Sequence, residues 1–282
     1  EESLVVKILK KDTLAPTIKL MELDAPLVAN HARAGQFVII IINENGERIP
    51  LTIADFDRDK GTITIVFQEV GKTTLALGLF KEGEEIAHLN GPLGKPSHIE
   101  NFGNVVIIGG GVGIAPIHPI SRALKEAGNN VTAIIGSRTK DLLFWESKIK
   151  NVSHKLIVTT DDGTYGLHGF VTDPLKKIIE EEKVDKVIAV GPIPMMKAVS
   201  DVTKEKNIPT IVSLNSLMVC GMGMCGACRV NVSDETRFTC FEGPEFDGAS
   251  VNFAELSERL KTYLDEEKIA LNEFKEKLFK NG

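Results

Sequence analysis

NVVIIGGGVGIAPIHPI, residues 104–120, reads in three parts: a short apolar run, a cluster of glycines, and the opening of a helix. A strand that ends in glycines and turns directly into a helix aims backbone N–H groups and the positive end of the helix dipole at one spot. That arrangement suits a nucleotide diphosphate. The loop lacks the third glycine of G-x-G-x-x-G, so it does not carry the assignment alone, and glycines needed only for tight strand-to-helix packing are the alternative.

The texture on either side decides the fold. Downstream, apolar strands alternate with helical segments: NVTAIIGS, KLIVTTDDG, DPLKKIIEEEK, DKVIAVGP, PMMKAVSDVTKEK and PTIVSL. Short connections between such segments predict a doubly wound parallel sheet over 101–213, with ligands at the carboxyl ends of its strands. Glycine or turn residues follow those strands at Gly109–Gly111, Gly136-Ser137, Asp161–Gly163 and Gly191-Pro192.

Upstream, residues 1–100 read as short strands and turns. GQFVIIII (35–42) is followed by a turn at Asn45-Gly46, then IPLTIAD (49–55), then Gly61 and the alternating TITIVF (62–67). This predicts an antiparallel β-barrel ended by the breaker-rich GPLGKP at 91–96. VGKTT (70–74) is not a P-loop, because Val66 stands where the first glycine of that motif belongs.

After residue 213 comes VCGMGMCGACRV (219–230), and all four cysteines of the chain fall between 220 and 240. Cys220, Cys225, Cys228 and Cys240 are spaced C-x4-C-x2-C-x11-C, and the first three match the plant-type ferredoxin run that wraps a [2Fe–2S] cluster. Each iron needs two thiolates. Glycines at 221, 223 and 226 allow φ > 0 and let N–H groups approach the sulfurs. Structural zinc is the alternative, although zinc sites usually pair two short knuckles and only one is clear here. Met222 and Met224 read as packing around the loop. A segment over 214–253 is followed by a tail, 254–282, with helical period and a charged, exposed character.

At 282 residues, 43% hydrophobic, the chain can bury a core of about two domains, and its net charge of −6 offers no global field for nucleic acid or anionic membrane. The start, EESLVVKILKKD, has no basic region followed by an apolar core, and the apolar run at 105–117 is short of the roughly 20 residues a spanning helix needs. Cysteines confined to one stretch fit a local metal or redox site in a reducing compartment, so a cytoplasmic protein is expected. The six histidines, among them His31, His88, His98 and His168, show no metal-ligand spacing and read as structural.

In chain order, RIPLTI (48–53), GKTT (71–74), GPLG (91–94), GGGVGIAP (109–116) and VGPIPMM (190–196) resemble the ferredoxin–NADP reductase superfamily. With the cysteine segment appended, the whole chain is similar to the iron–sulfur branch. That branch holds the electron-transfer subunits of type B dihydroorotate dehydrogenases and the small subunits of NADH-dependent reduced ferredoxin:NADP oxidoreductases. GMCGACRV followed by CFEGPEFDGASVNF is nearer the latter. Many members of that group carry aspartate where this chain has Cys220, so all-cysteine ligation is a reading of this sequence alone.

The resemblance implies an NAD(P)H-dependent flavin and iron–sulfur oxidoreductase subunit that binds FAD, a [2Fe–2S] cluster and NAD(H) or NADP(H). Arg48 would pair with the FAD phosphates. Pro50, Leu51 and Thr52 would line the isoalloxazine, with the Thr52 hydroxyl at the reactive edge and no protein acid or base required. Gly71, Lys72, Thr73 and Thr74 would hold the FAD pyrophosphate. Gly110, Gly111 and Gly113 would admit the dinucleotide pyrophosphate, and Gly191, Pro192 and Met195 would flank the nicotinamide. Ser137 and Arg138 would read the adenosine ribose; an arginine there accepts a 2′-phosphate, stacks on adenine or faces solvent. Asp161 and Asp162 would bond ribose hydroxyls or cap a turn. The implied partners are a larger flavin and iron–sulfur catalytic subunit and, through that complex, ferredoxin, with electron bifurcation in the partner. The runner-up is the orotate-pathway subunit. A reading of another class is a non-catalytic zinc-binding interaction module on a reductase-like fold.

Overall fold

The run Thr62–Gln68 shows why the first third of the chain curls on itself. Ile63, Ile65 and Phe67 alternate onto one face and are buried, while Val66 points the other way into a different core. Both faces of the strand are thus covered, and the strand reads as nearly continuous apolar sequence. The computed structural model describes residues 5–44 and 46–281. Of the expected turn at Asn45-Gly46, Asn45 lies outside the described residues; the Gly46 N–H donates to the Asn43 carbonyl at 2.8 Å.

The barrel comprises β1 (Val6–Ala15), β2 (Ile18–Asp24), β3 (Phe37–Ile41), β4 (Arg48–Asp57), β5 (Thr62–Gln68), β6 (Glu85–Ile86) and β7 (His88–Leu93), with α1 (Pro26–His31) and α2 (Lys72–Leu79) in its connections. The sheet order is β6-β1-β2-β5-β4-β3-β7, antiparallel throughout. Its two end strands are separated in the chain by Ala87 alone, so the sheet closes almost completely. Ile8, Met21, Leu23, Val38, Ile40 and Ile53 fill the interior. Each such side chain contributes about 1.5–3 kcal/mol by leaving water.

The second sheet contains β8 (Asn104–Gly110), β9 (Asn130–Ser137), β10 (Lys155–Thr160), β11 (Leu167–His168), β12 (Lys186–Val190) and β13 (Thr210–Ser213). Its helices are α3 (Ile114–Glu126), α4 (Glu146–Asn151), α5 (Thr172–Glu181) and α6 (Ile193–Lys204). The order β11-β10-β9-β8-β12-β13 is parallel and reverses direction between β8 and β12, which is the switch point of a doubly wound sheet. Ile18, Leu20, Ala54 and Val66 on the outer wall of the barrel share one core with Ile114, Ala115 and Ile117 of α3.

The cysteine segment adds β14 (Arg229–Val232), β15 (Glu235–Phe238), α7 (Thr239–Glu242) and β16 (Glu245–Asp247). The expectation of a separate segment did not include β16, which pairs antiparallel with β13 and completes the edge of the second sheet. The tail is two helices, α8 (Phe253–Leu260) and α9 (Leu264–Asn281). The tail is largely exposed, as expected, along α9, while α8 buries Phe253 and Leu256 beside β14 and α6. No helix among the described residues is long and apolar enough to cross a membrane.

Candidate functional site

The loops leaving β8 and β12 meet at the switch point. Gly111–Gly113 make one 3-10 turn into α3, and Pro192 caps α6. A Cβ at Gly113 would stand 2.2 Å from the Val190 carbonyl oxygen and 3.0 Å from Gly191 Cα. One at Gly110 would be 2.3 Å from Met195 Sδ, and one at Gly191 would be 2.6 Å from Met195 Cε. Gly113 is therefore required by loop-on-loop packing against backbone, whereas at Gly110 and Gly191 the close neighbour is the end of the Met195 side chain, which lies across both loops. Gly111 differs: its φ is +56° and a Cβ there would meet nothing within 4 Å. It leaves bare backbone at the N-terminus of a 13-residue helix, a cradle suited to a phosphate.

The ends of β9 and β10 lie one and two strands outward from β8. Ser137 is buried and its hydroxyl donates to the Thr139 carbonyl at 2.6 Å. Asp162 accepts from the Thr164 N–H at 3.0 Å and hydroxyl at 2.7 Å, bonds that hold its carboxyl below the usual range and make it the cap of its own turn. Asp161 moves the opposite way, raised by burial and by the Asp162 charge against the pull of Arg138. Arg138 and Asp161 are exposed at this edge, with their charges near enough to act on each other.

Along β4 the ladder is one-sided where it matters. Residues 48–52 pair with β3, Pro50 opposite Ile39 and Thr52 opposite Phe37, whereas pairing with β5 begins at Ile53. Pro50 thus removes no hydrogen bond from the sheet. Cross-strand partners share a face, so Pro50 and Thr52 lie on the outer wall with Phe37 and Ile39; Leu51 packs against the barrel interior instead. Arg48 Nε donates to the Val219 carbonyl at 2.6 Å, tying the strand to the cysteine loop.

At the start of α2 the Thr74 hydroxyl accepts from the N–H groups of Gly71 (3.0 Å) and Val70 (3.1 Å), so it serves as a cap. Thr73 donates its hydroxyl to Glu47, whose carboxylate is 3.8 Å from Lys72 Nζ. Glu47 was not singled out from sequence. A carboxylate held by a lysine and a hydroxyl at a helix N-terminus marks an anion site, and this donor set fits a phosphate that displaces Glu47.

The cysteine spacing has a structural origin. Cys228 precedes β14 and Cys240 follows β15, and the two strands are joined by Ser233 and Asp234, both at positive φ (53° and 61°) as a two-residue hairpin demands. The x11 gap is this hairpin, and it sets Cys228 Sγ 3.1 Å from Cys240 Sγ. The x4 gap wraps a sulfur: Cys220 Sγ accepts from the N–H groups of Met224 (3.3 Å), Met222 and Cys225 (both 3.5 Å). Gly221, at φ +75°, has no room for a Cβ, which would be 2.5 Å from Ile39 Cδ1. Burial pushes the Cys220 thiol up, but those N–H groups and the Cys225 thiol outweigh it and bring its pKa down to about 6. Burial first, then the Cys228 thiol, pushes Cys240 up to about 12.

The thiols therefore pair two and two, Cys220 with Cys225 and Cys228 with Cys240, and among the described residues no three metal-binding side chains converge on a single point. Four thiolates on one loop and one hairpin are a donor set that fits a [2Fe–2S] cluster. Phe37 and Ile39 pack against Met218, Cys228 and Cys240, so the cysteine loop rests on β3, the strand next to the Pro50–Thr52 segment. Neighbouring strands are about 4.8 Å apart. The cysteine loop thus rests on the barrel wall, and the Gly111–Gly113 turn lies beside β5 of the same barrel, while the β9 and β10 ends lie further out along the second sheet. Two groups missed in sequence, Glu47 and a cluster centred on Asp55, are joined across long separations that no local pattern signals.

Residues 215–252 match the family of the iron-sulfur cluster binding domain of dihydroorotate dehydrogenase B, and residues 107–201 match the oxidoreductase NAD-binding domain. A dihydroorotate dehydrogenase B (NAD(+)) electron transfer subunit homolog of Thermotoga maritima is 49% identical over 95% of each chain. The electron transfer subunit of that enzyme from Desulforamulus reducens is 33% identical over 85% of this chain and 94% of its own. A solved NADH-dependent reduced ferredoxin-NADP oxidoreductase structure, described for flavin-based electron bifurcation, superposes with a TM-score of 0.91 at 49% identity, over 95% of this chain and 97% of that one. Phthalate dioxygenase reductase, at 15% identity and a TM-score of 0.57 over 88% and 96% of the two chains, shares the fold.

Proposed function

The chain belongs to the dihydroorotate dehydrogenase B electron transfer subunit family, and from that premise we propose that it takes electrons in pairs from NADH and delivers them singly to a larger partner. Bound FAD supplies the conversion between hydride and single-electron chemistry, and a [2Fe–2S] cluster carries one electron at a time. The chain's own part is to orient and to insulate. Gly111 and the start of α3 receive the dinucleotide pyrophosphate, while Gly191, Pro192 and Met195 shape the nicotinamide side. Pro50 and Thr52 offer an outer barrel wall for the isoalloxazine; Lys72 and Thr73, with Arg48 nearby, are the phosphate donors. The four cysteines hold the cluster.

The observation that carries this reading is the seating of the cysteine loop on β3, one strand from Pro50 and Thr52, with Arg48 bonded to Val219 across the seam. The exit from the site is apolar: Val219, Met222, Met224 and Phe241 are exposed around the loop. Such a patch suits a docked protein. We assign it to the larger catalytic subunit; the bifurcating ferredoxin-NADP complex stands first because GMCGACRV and CFEGPEFDGASVNF are nearer that group, while identity does not separate it from the orotate enzyme, since both a structure of the one and a T. maritima subunit homolog of the other stand at 49%.

Anaerobic titration of the purified protein with NADH and, separately, NADPH tests the reading. A brown-yellow protein containing FAD, iron and sulfide, bleached by near-stoichiometric NADH, is expected. A colourless protein that carries zinc and ignores both nucleotides would overturn it.

A further inference from the structure

Asp55 stands where the barrel touches the helix that carries the glycine loop. The β4–β5 register slips between Ile53 and Asp55, a bulge. There one carboxylate faces three basic side chains from the nucleotide-binding half, two of which hydrogen-bond to it. Arg122 Nη1 lies 2.8 Å from Oδ1; Lys148 Nζ and His118 Nδ1 lie 3.5 and 3.7 Å from Oδ2. His118 is buried, and its Nδ1 has no hydrogen-bond partner. Arg122 and Arg58 both stand over the Phe56 ring, 5.3 and 5.0 Å from its centroid. Trp145 closes the cluster, edge-on to His118 at 5.5 Å with Lys148 4.3 Å above its ring.

The levers on either side are short and stiff. His118 and Arg122 are one turn apart on α3, and His118 is about 6 Å along the axis from the helix start at Ile114. On the barrel side Asp55 is about 10 Å along β4 from Thr52. We propose that Asp55 is a positioning residue: through Arg122 and His118 it sets the distance and tilt between the glycine loop of α3 and the Pro50–Thr52 wall, and so between nicotinamide and flavin. This rests on the electron-transfer reading above. Asp55 touches neither reactant; it acts on the geometry between them. A misplacement of 1 Å in such a pair can lower the rate by about a hundredfold.

The test is Asp55→Asn in the full chain loaded with FAD and cluster, alongside Arg122→Lys and Arg122→Ala. Anaerobic stopped-flow mixing with NADH separates the limiting rate of flavin bleaching from the apparent Kd. Trp145, the single tryptophan of the chain, reports the joint by its fluorescence independently of activity. For Asp55→Asn we expect unchanged FAD and iron content, a limiting rate lower by about ten- to a hundredfold, an NADH Kd altered by less than about twofold, and an altered Trp145 emission. Arg122→Lys should retain most of the rate that Arg122→Ala loses. Bleaching of Asp55→Asn at the wild-type rate overturns the proposal. So does a rate loss that merely follows lost FAD or a lowered melting temperature, with Arg122→Lys as impaired as Arg122→Ala. A wild-type protein that NADH fails to bleach would overturn the electron-transfer reading and the role of Asp55 with it.

Discussion

Gly113 and Gly111 are two residues apart, and substituting alanine at each should fail in different ways. A Cβ at 113 would meet backbone: the Val190 oxygen at 2.2 Å, its carbonyl carbon at 2.7 Å and Gly191 Cα at 3.0 Å. Ordinary contact is near 3.4 Å, so the β8 and β12 loops must part by about 1 Å, and overpacking of this kind costs about 1–3 kcal/mol. The φ of Gly113 is −63°, so no conformational strain adds to this. The cost should lower the melting temperature by about 2–4 °C per kcal/mol for a chain of this size. The same separation moves the nicotinamide side from the pyrophosphate side and should slow hydride transfer by about a hundredfold. Gly111→Ala meets nothing within 4 Å but sits at φ +56°, so it costs only the left-handed penalty of about 1–2 kcal/mol. Its methyl would stand in the phosphate cradle, and the NADH Kd should rise by about tenfold, the 1.4 kcal/mol equivalent of one lost phosphate contact. Differential scanning fluorimetry and stopped-flow reduction read both variants. Wild-type stability in Gly113→Ala would refute the packing argument; an unchanged NADH Kd in Gly111→Ala would refute the cradle.

Three further outcomes are expected. Glu47→Gln removes the carboxylate that competes with phosphate at the start of α2, so FAD should bind more tightly by about three- to tenfold in a fluorescence titration, while global stability hardly moves because the Lys72–Glu47 pair is exposed. Cys228→Ser, within the buried pair, should abolish cluster assembly, whereas Cys220→Asp should keep iron, as measured by metal analysis and the visible spectrum. Stability should also fall as pH drops below 6.5, because burial lowers the pKa of His118 from that value and the unfolded chain takes up the proton first. A second loss follows below about pH 4: burial opposes ionisation of Asp55, but His118, Arg122 and Lys148 outweigh it and hold its carboxyl low, so protonation on acidification favours unfolding. Denaturant titrations at pH 7.5, 5.5 and 3.5 check both, and His118→Gln should flatten the first step.

Local spacing announces what local chemistry holds together. The alternation in Thr62–Gln68 and the strand-glycine-helix order at 104–120 each lie within one or two elements, and period and glycine placement suffice to read them. The cysteine pairing was half legible. The x4 and x2 gaps pointed to an iron–sulfur loop, but the x11 gap acquires meaning only through the Ser233-Asp234 hairpin, whose turn residues are not the glycine pair that usually signals one. Glycine roles divided in a way sequence could not: Gly110 and Gly113 answer to Met195 and Val190, roughly 80 residues away in the chain, while Gly111 between them faces open space. The Asp55 joint and the edge strand β16 depend on tertiary meeting alone. His118 reads as one histidine on an apolar helix until β4 is laid beside it.

The central claim is that electrons cross the β3 wall from flavin to cluster. Rapid freezing of the protein after anaerobic mixing with NADH, followed by electron paramagnetic resonance, tests it most directly. The account predicts a reduced [2Fe–2S] signal that grows in after the flavin absorption bleaches, in an intact chain without its partner. Complete flavin bleaching with a cluster that stays oxidised, in a protein whose cluster dithionite reduces readily, would contradict it.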